Sequence, residues 1–203
     1  NRARSAQNFA DFNFLNHEVA NRIVESLEFM KRDFDQVLEI GARDGYLSQQ
    51  IKEKKKVKLI AQTEICDFRN SQNDENRTIA DEENLPFKKN SFDLVVSCLN
   101  FHHINSIPGL LLQIKDLLKP NGIFIASFFG EENLSELAHV IFQTENEIYD
   151  GISPRMMPTI EVKTAAHLLQ KAGFDSPISN FEKIEVSYSD PLNLLKDLKM
   201  MGQ

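Results

Sequence analysis

The amino-acid sequence predicts an α/β fold in which helices cover both faces of a mostly parallel sheet. Short apolar runs alternate with amphipathic helical segments from residue 36 to residue 130, the pattern of a doubly wound sheet with right-handed crossovers. The run from Phe92 to Leu99 is apolar at almost every position, as expected for a strand that is covered on both faces.

The first half of the chain contributes a helix ahead of the sheet and then four strands. Leu15, Val19 and Ile23 recur every four residues, which predicts an N-terminal helix over residues 13–28. A second helix, from Tyr46 to Lys54, follows the glycines that end the first strand. The four strands are predicted at residues 36–40, 57–63, 77–80 and 92–99.

The second half adds a crossover helix and completes the sheet. Apolar residues at positions i, i+3 and i+4 predict a helix over residues 107–118, which the breakers Pro120 and Gly122 then end. Further helices are predicted at residues 133–149, at residues 160–172 and from residue 191. Strands at residues 123–129, 176–180 and 183–188 bring the sheet to seven strands. The chain is predicted to be one domain over residues 1–203, with a core at 36–130 and a substrate-side part at 131–203.

Composition excludes several classes of function. The chain has 30 acidic and 23 basic residues, and its net charge of -7 disfavours a nucleic-acid partner, because phosphate binding requires a basic face. Cys66 and Cys98 lie far apart, which supports neither a disulfide framework nor a cysteine zinc site. No apolar run reaches the roughly 18 to 20 residues that span a bilayer, so no transmembrane segment is expected. The histidines show no metal-binding spacing, and no metal site is predicted.

The segment from Glu39 to Gly45 joins the first strand to the following helix. Gly41 and Gly45 allow the backbone to approach a ligand closely, and the N-terminus of the helix offers free N–H groups. Glu64 ends the second strand 19 residues after Gly45. This is close to the roughly 20-residue offset at which a carboxylate bonds ribose hydroxyls in dinucleotide-binding folds.

A third group of polar residues follows the third strand. Asp81 and Glu82 lie at its carboxyl end, where one carboxylate can accept a hydrogen bond from an adenine amino group. Because the carboxyl ends of parallel strands share one edge of a sheet, we expect these residues and Glu64 to line an open crevice for a nucleoside. A crevice filled by protein atoms would contradict this expectation and any enzymatic role that depends on it.

These motifs resemble those of the class I S-adenosylmethionine-dependent methyltransferases, which have a Rossmann-like sheet in the strand order 3-2-1-4-5-7-6. The resemblance rests on Glu39–Gly45, Glu64, Asp81–Phe87, Phe92–Ser97 and Leu118–Gly122. Within that superfamily the sequence is similar to two groups. One is the complex I assembly factors regarded as arginine hydroxylases, and the other is the malonyl-acyl-carrier-protein O-methyltransferases of biotin synthesis.

The resemblance implies S-adenosylmethionine as the cofactor and assigns roles to individual residues. Glu64 would bind the ribose, Asp81 and Glu82 the adenine, and the glycines the methionine portion. His102, at the end of the fourth strand, is a candidate general base or acceptor-binding residue, although a structural loop histidine is the alternative. The cofactor contacts implied are Glu39, Gly41, Ala42, Arg43, Gly45, Glu64, Ile65, Asp81, Glu82, Ser97 and Asn100.

Arg43 departs from the family pattern, because it occupies the position of the central glycine in the E-x-G-x-G-x-G motif. Three interpretations of its side chain stay open at this point. It points to solvent, it pairs with the carboxylate of the cofactor, or it obstructs the pocket.

Three functional hypotheses follow from the sequence. The first is a methyltransferase acting on a small or carrier-bound acceptor. The second is an S-adenosylmethionine-binding arginine hydroxylase that acts on a subunit of complex I, and the third is a non-catalytic relative that binds a protein. The resemblance implies the cytoplasm for a bacterial source and the mitochondrial matrix for a eukaryotic one. The sequence does not determine an oligomeric state.

Overall fold

The computed structural model describes residues 2–67, 76–151, 153, 155 and 159–202 of the 203-residue chain. The described residues form one sheet of five parallel strands in the order β3-β2-β1-β4-β5. The strands are β1 (Gln36–Ile40), β2 (Leu59–Glu64), β3 (Arg77–Ile79), β4 (Phe92–Cys98) and β5 (Leu118–Ser127). The order reverses between β1 and β4, which is where ligands bind in open α/β sheets.

Helices precede, connect and follow these strands. They are α1 (Arg2–Ser5), α2 (Phe14–Glu28), α3 (Tyr46–Lys54), α4 (Ile107–Leu117), α5 (Ser135–Tyr149), α6 (Val162–Lys171) and α7 (Pro191–Met201). Short 3-10 turns occupy Phe9–Asp11 and Phe101–His103. Of the described helices, none is long and apolar enough to cross a membrane.

Alternation along the central strands divides the core into two layers. Val37 and Leu94 pack on one face of the sheet together with apolar residues of α2 and α3. Leu38 and Val95, their immediate neighbours in sequence, point to the opposite face and pack against α4. Because both faces of β1 and β4 are buried, packing fixes the positions of their carboxyl ends at one edge of the sheet.

The predicted doubly wound α/β class and the strand order 3-2-1-4-5 are confirmed, but the sixth and seventh predicted strands do not form among the described residues. Residues 177–188, all described, form neither helix nor strand, so β5 is the edge of the sheet. Ile178 and Phe181 in this segment are exposed, while Ile184 packs on the core. An apolar pattern predicts an extended segment, but it does not determine whether that segment pairs with an edge strand.

The start of β5 also differs from the prediction. The strand begins at Leu118, immediately after α4, and includes the residues that were expected to form a turn before residue 123. Leu118 is already extended (φ -71°, ψ 135°), and Asn121 takes a positive φ of 62° within the strand. The irregular register between Phe92 and Leu94 on β4 accommodates the Pro120–Gly122 segment without ending the strand.

Candidate functional site

The loop after β1 lies against the end of β2. The backbone N–H groups of Gly41 and Ala42 both donate to the Thr63 carbonyl at 3.0 Å. Gly41 has a φ of +72°, and a Cβ at this position would lie 2.7 Å from the Asn100 Oδ1. Glycine is therefore required here both by the backbone conformation and by the close approach of the residue that follows β4.

Glu64 is fully buried at the carboxyl end of β2. Its Oε2 accepts a hydrogen bond from the Arg43 N–H at 2.8 Å, and its Oε1 accepts one from the Ile65 N–H at 3.0 Å. Two backbone donors thus fix the carboxylate beside the loop after β1. A second buried carboxylate, Glu82, follows β3, and the buried amide of Asn100 follows β4. The Asn100 Nδ2 donates to the Glu82 Oε1 at 3.3 Å.

The side chain of Arg2, from α1, fills the space among these three groups. Its Nη1 lies 3.0 Å from the Glu64 Oε1 and 3.2 Å from the Glu82 Oε1, and its Nη2 donates to the Asn100 Oδ1. One guanidinium therefore bridges residues that follow three different strands. The predicted convergence is observed for Glu64 and Glu82 but not for Asp81, and the crevice that the sequence predicted to be open holds a protein side chain instead. Sequence reasoning missed this residue, because a lone arginine near the start of a chain carries no local signal.

Arg43 does not point to solvent. Its side chain is buried, with Nη1 donating to the Met201 carbonyl at 2.7 Å and Nη2 to the Leu99 carbonyl at 3.4 Å. The guanidinium carbon lies 5.2 Å from the ring centre of Phe9. Burial lowers the pKa of Arg43 to about 10, with a further contribution from the charge of Arg2. Arg43 is consequently still a cation near neutral pH, and it connects the loop after β1 to the end of α7.

Glu39 is not part of the group formed by Arg2, Glu64, Glu82 and Asn100, which we call the Arg2 cluster. Its Oε2 accepts hydrogen bonds from the Ser48 hydroxyl on α3 and, at 3.1 Å, from the Gln62 amide on β2. Burial raises the pKa of Glu39 to about 7, although the hydrogen bonds from Ser48 and Gln62 act in the opposite direction. The contacts are those of a carboxyl group that joins β1, β2 and α3.

We expect this carboxyl group to make stability depend on pH. The pKa of Glu39 is about 7 in the folded chain, against an ordinary value of 4.5. The folded state then binds the proton more tightly, so the free energy of unfolding falls as pH rises from about 4.5 to about 7, by about 3 kcal/mol. Urea unfolding followed by circular dichroism at pH 5 and pH 8 measures the change. Glu39→Gln should lose this part of the pH dependence, and an identical slope in both proteins would contradict the assignment.

The other residues that the sequence predicted to contact the cofactor are Asp81, Ser97, Ala42, Gly45 and Ile65. Asp81 is exposed, and its Oδ1 accepts a hydrogen bond from the Glu83 N–H at 2.8 Å, so Glu82 rather than Asp81 reaches the Arg2 cluster. Ser97 is buried and donates to the Ile40 carbonyl at 2.9 Å, which joins β4 to β1. Among the others, Ala42 is buried, Gly45 is buried with a φ of +79°, and Ile65 is half exposed.

His102 lies in the 3-10 turn that follows Asn100. Its ring centre lies 4.8 Å from that of Phe129 and 4.1 Å from that of His103. Burial, together with the proximity of His102, lowers the pKa of His103 to about 3, which keeps His103 neutral near pH 7. His102, the candidate acceptor-binding residue, is thus half-buried beside the rings of His103 and Phe129. It lies two positions after Asn100 in the sequence.

Comparison with known proteins relates the chain to the methyltransferases. A family model described as a methyltransferase domain matches residues 38–126. The chain is 39% identical over 197 residues to the mouse arginine-hydroxylase NDUFAF5, mitochondrial, covering 95% of this chain and 57% of that protein. It is 35% identical to RP459 of Rickettsia prowazekii, whose name assigns it provisionally to the methyltransferases, over 82% of this chain and 74% of that protein. The chain spans little more than half the length of the mammalian relatives it matches.

More distant relatives and solved structures agree with the fold. Malonyl-[acyl-carrier protein] O-methyltransferase 1 of Coxiella burnetii is 25% identical over 98% of this chain and 67% of that protein. A solved complex of the Haloferax volcanii methyltransferase activator Trm112 contains a partner that superposes with a TM-score of 0.62 at 20% identity. The match covers 84% of this chain and 72% of that one. The [4+2]-cyclase SpnF superposes with a TM-score of 0.56 at 14% identity, over 75% of this chain and 56% of that one.

Proposed function

Because the chain belongs to the class I S-adenosylmethionine-dependent methyltransferases, we propose that it binds S-adenosylmethionine at the carboxyl edge of its sheet and methylates a small or carrier-bound acceptor. The observation that carries the proposal is the convergence of Glu64, Glu82 and Asn100 on one guanidinium. Hydrogen-bonding groups from the ends of three strands meet there, at the switch point of the sheet, where open α/β folds bind nucleotides.

The residues present fit the cofactor. Glu64 would accept hydrogen bonds from the ribose hydroxyls, since two backbone N–H groups already hold its carboxylate in place. Glu82 would accept one from the adenine amino group. Gly41 would let the backbone approach the methionine portion, and its missing Cβ also leaves room for the side chain of Asn100 against the loop. The half-exposed Ile65 would lie against the nucleoside.

Methyl transfer makes modest demands on the protein. Bound S-adenosylmethionine supplies an electrophilic methyl group on a sulfonium. The chain would contribute orientation and exclusion of water, and these are the main sources of acceleration for an in-line displacement. Ser97 and Asn100 would border the reacting region, and His102, two residues further on, would accept a proton from the acceptor or bind its carboxylate. Its half-buried position beside Phe129 favours contact with a partly apolar acceptor.

Arginine hydroxylation is the second candidate, and the similarity to proteins named arginine hydroxylase favours it. Among the described residues, no group of three or more His, Cys, Asp or Glu side chains could hold a metal ion. On this second proposal the acceptor would be an arginine of a partner protein, in the mitochondrial matrix of a eukaryote or the cytoplasm of a bacterium.

Isothermal titration with S-adenosylhomocysteine tests the proposed cofactor site. We expect a dissociation constant in the micromolar range, about -8 kcal/mol of binding free energy. Absence of heat at millimolar ligand would reject both enzymatic proposals and leave a non-catalytic, protein-binding relative.

Mass spectrometry then separates the two enzymatic proposals. The chain is incubated with S-adenosylmethionine and a malonyl-acyl carrier protein or, with dioxygen as the oxidant and an added two-electron reductant, with an arginine-containing peptide. In the second reaction one oxygen atom would enter the peptide and the other would leave as water. A methyl increment on the carrier supports the first proposal, and an oxygen increment on the peptide supports the second. His102→Ala serves as a test of the acceptor side, because we expect it to reduce turnover while leaving S-adenosylhomocysteine affinity unchanged.

A further inference from the structure

We propose that the N-terminal segment from Arg2 to Asp11 is an internal plug of the cofactor crevice, which must leave before S-adenosylmethionine binds. The inference rests on the proposed function, since it takes Glu64, Glu82 and Asn100 to be the residues that bind the cofactor. It adds that the site is closed by the chain itself and that opening is coupled to α7.

The contacts of Arg2 identify it as the occupant of the site. Its side chain is only 8% exposed, although α1 is a helix of only four residues. The guanidinium binds two buried carboxylates, Glu64 and Glu82, and the buried amide of Asn100. The proposed function assigns cofactor binding to these same three residues. Arg2 and a nucleoside therefore require the same atoms.

The rest of the segment is anchored around Arg43. Phe9 is buried, and its ring lies beneath the Arg43 guanidinium. Arg43 in turn donates to the Met201 carbonyl at the end of α7. Next to Met201, Gly202 lies so close to α1 that an added Cβ would be 2.7 Å from the Ser5 hydroxyl and 3.4 Å from the Arg2 Cα. The plug and the end of α7 consequently form one packed unit over the loop after β1.

Competition for Glu64 explains why the plug must leave. The Glu64 Oε1 already accepts hydrogen bonds from Arg2 and from the Ile65 N–H. A ribose hydroxyl that replaced Arg2 there would leave a buried, unpaired guanidinium, which is unfavourable unless that side chain moves into water. Binding then depends on the fraction of molecules in which the plug is open. An open population of about 10% or less raises the apparent Kd about tenfold or more above its intrinsic value.

Arg2→Met tests the plug, because methionine keeps an unbranched apolar stem and removes the bridging guanidinium. We expect this variant to bind S-adenosylhomocysteine about tenfold more tightly than the unaltered chain and to associate faster in stopped-flow mixing. Arg4→Met is the matched control, since Arg4 is an exposed arginine on the same short helix. Its affinity should be unchanged. Circular dichroism and thermal unfolding verify that each variant is folded.

Hydrogen exchange of the unaltered chain provides a readout that needs no variant. Adding S-adenosylhomocysteine should speed exchange in residues 2–11 and at the end of α7, because both are released together. Equal or weaker binding by Arg2→Met, or greater protection of residues 2–11 with ligand, overturns the plug while leaving the cofactor site intact. If none of the three proteins binds the ligand, the proposed function fails and the plug fails with it.

Discussion

Replacing Glu64 with alanine is expected to weaken the binding of S-adenosylhomocysteine by about 1 to 3 kcal/mol, roughly a five- to 150-fold rise in Kd. The carboxylate is held by the N–H groups of Arg43 and Ile65. Removing it therefore loses the ribose contact and also leaves two backbone donors unpaired, of which the Arg43 N–H is buried. Isothermal titration gives the affinity directly.

Two comparisons make this measurement specific. Because Glu64 also holds Arg2, its loss would loosen the plug and partly mask the weaker contact, so the same change is made in the Arg2→Met background. There the full effect should be visible. Glu147→Ala, an exposed glutamate on α5, is the control for loss of one negative charge and should bind normally. Unchanged affinity in both Glu64→Ala proteins would remove Glu64 from the ribose site.

The second large effect is expected at Gly41. An alanine would have to adopt the left-handed φ of +72°, which costs an L-residue about 1 to 2 kcal/mol. Its Cβ would also displace the buried side chain of Asn100. We expect Gly41→Ala to lower the free energy of unfolding by about 1 to 3 kcal/mol and to raise the Kd for S-adenosylhomocysteine at least about tenfold. Urea unfolding and titration measure the two quantities.

Gly130→Ala is the matched substitution. In the described part of the chain, a Cβ built on Gly130 meets no atom within 4 Å. An alanine there should leave stability unchanged or raise it by up to about 1 kcal/mol, through the entropy of the unfolded chain. A Gly41→Ala protein as stable and as tightly binding as Gly130→Ala would mean that the approach of Asn100 to the loop is dispensable.

The fold alone does not decide the chemistry at this site. The cyclase SpnF has the same architecture as the methyltransferases to which this chain belongs. The present site holds two buried arginines. Arg2 binds the carboxylates of Glu64 and Glu82, and Arg43 joins the loop after β1 to the end of α7 by a hydrogen bond to the Met201 carbonyl. Any function proposed for this site must account for both.

Local sequence patterns predicted much of the sheet. The bounds of β1 and α3 agree with the predictions, because strand and helix are set by short apolar runs and by the glycines between them. The strands predicted within residues 176–188 failed for the opposite reason. Whether an extended segment becomes a strand depends on its fit to β5, which is remote in sequence.

The sequence by itself determined the parallel α/β core, the glycine loop and the approach of Glu64 to it, because each depends on neighbouring residues and on the shared polarity of parallel strands. Only the tertiary structure decided what lies in the crevice. Arg2 meets Glu64 across 62 positions of the chain, and Arg43 meets Met201 across 158. Contacts between residues so far apart in the sequence form only when the whole chain packs. Periodicity and motif spacing, which are local patterns, therefore do not predict them.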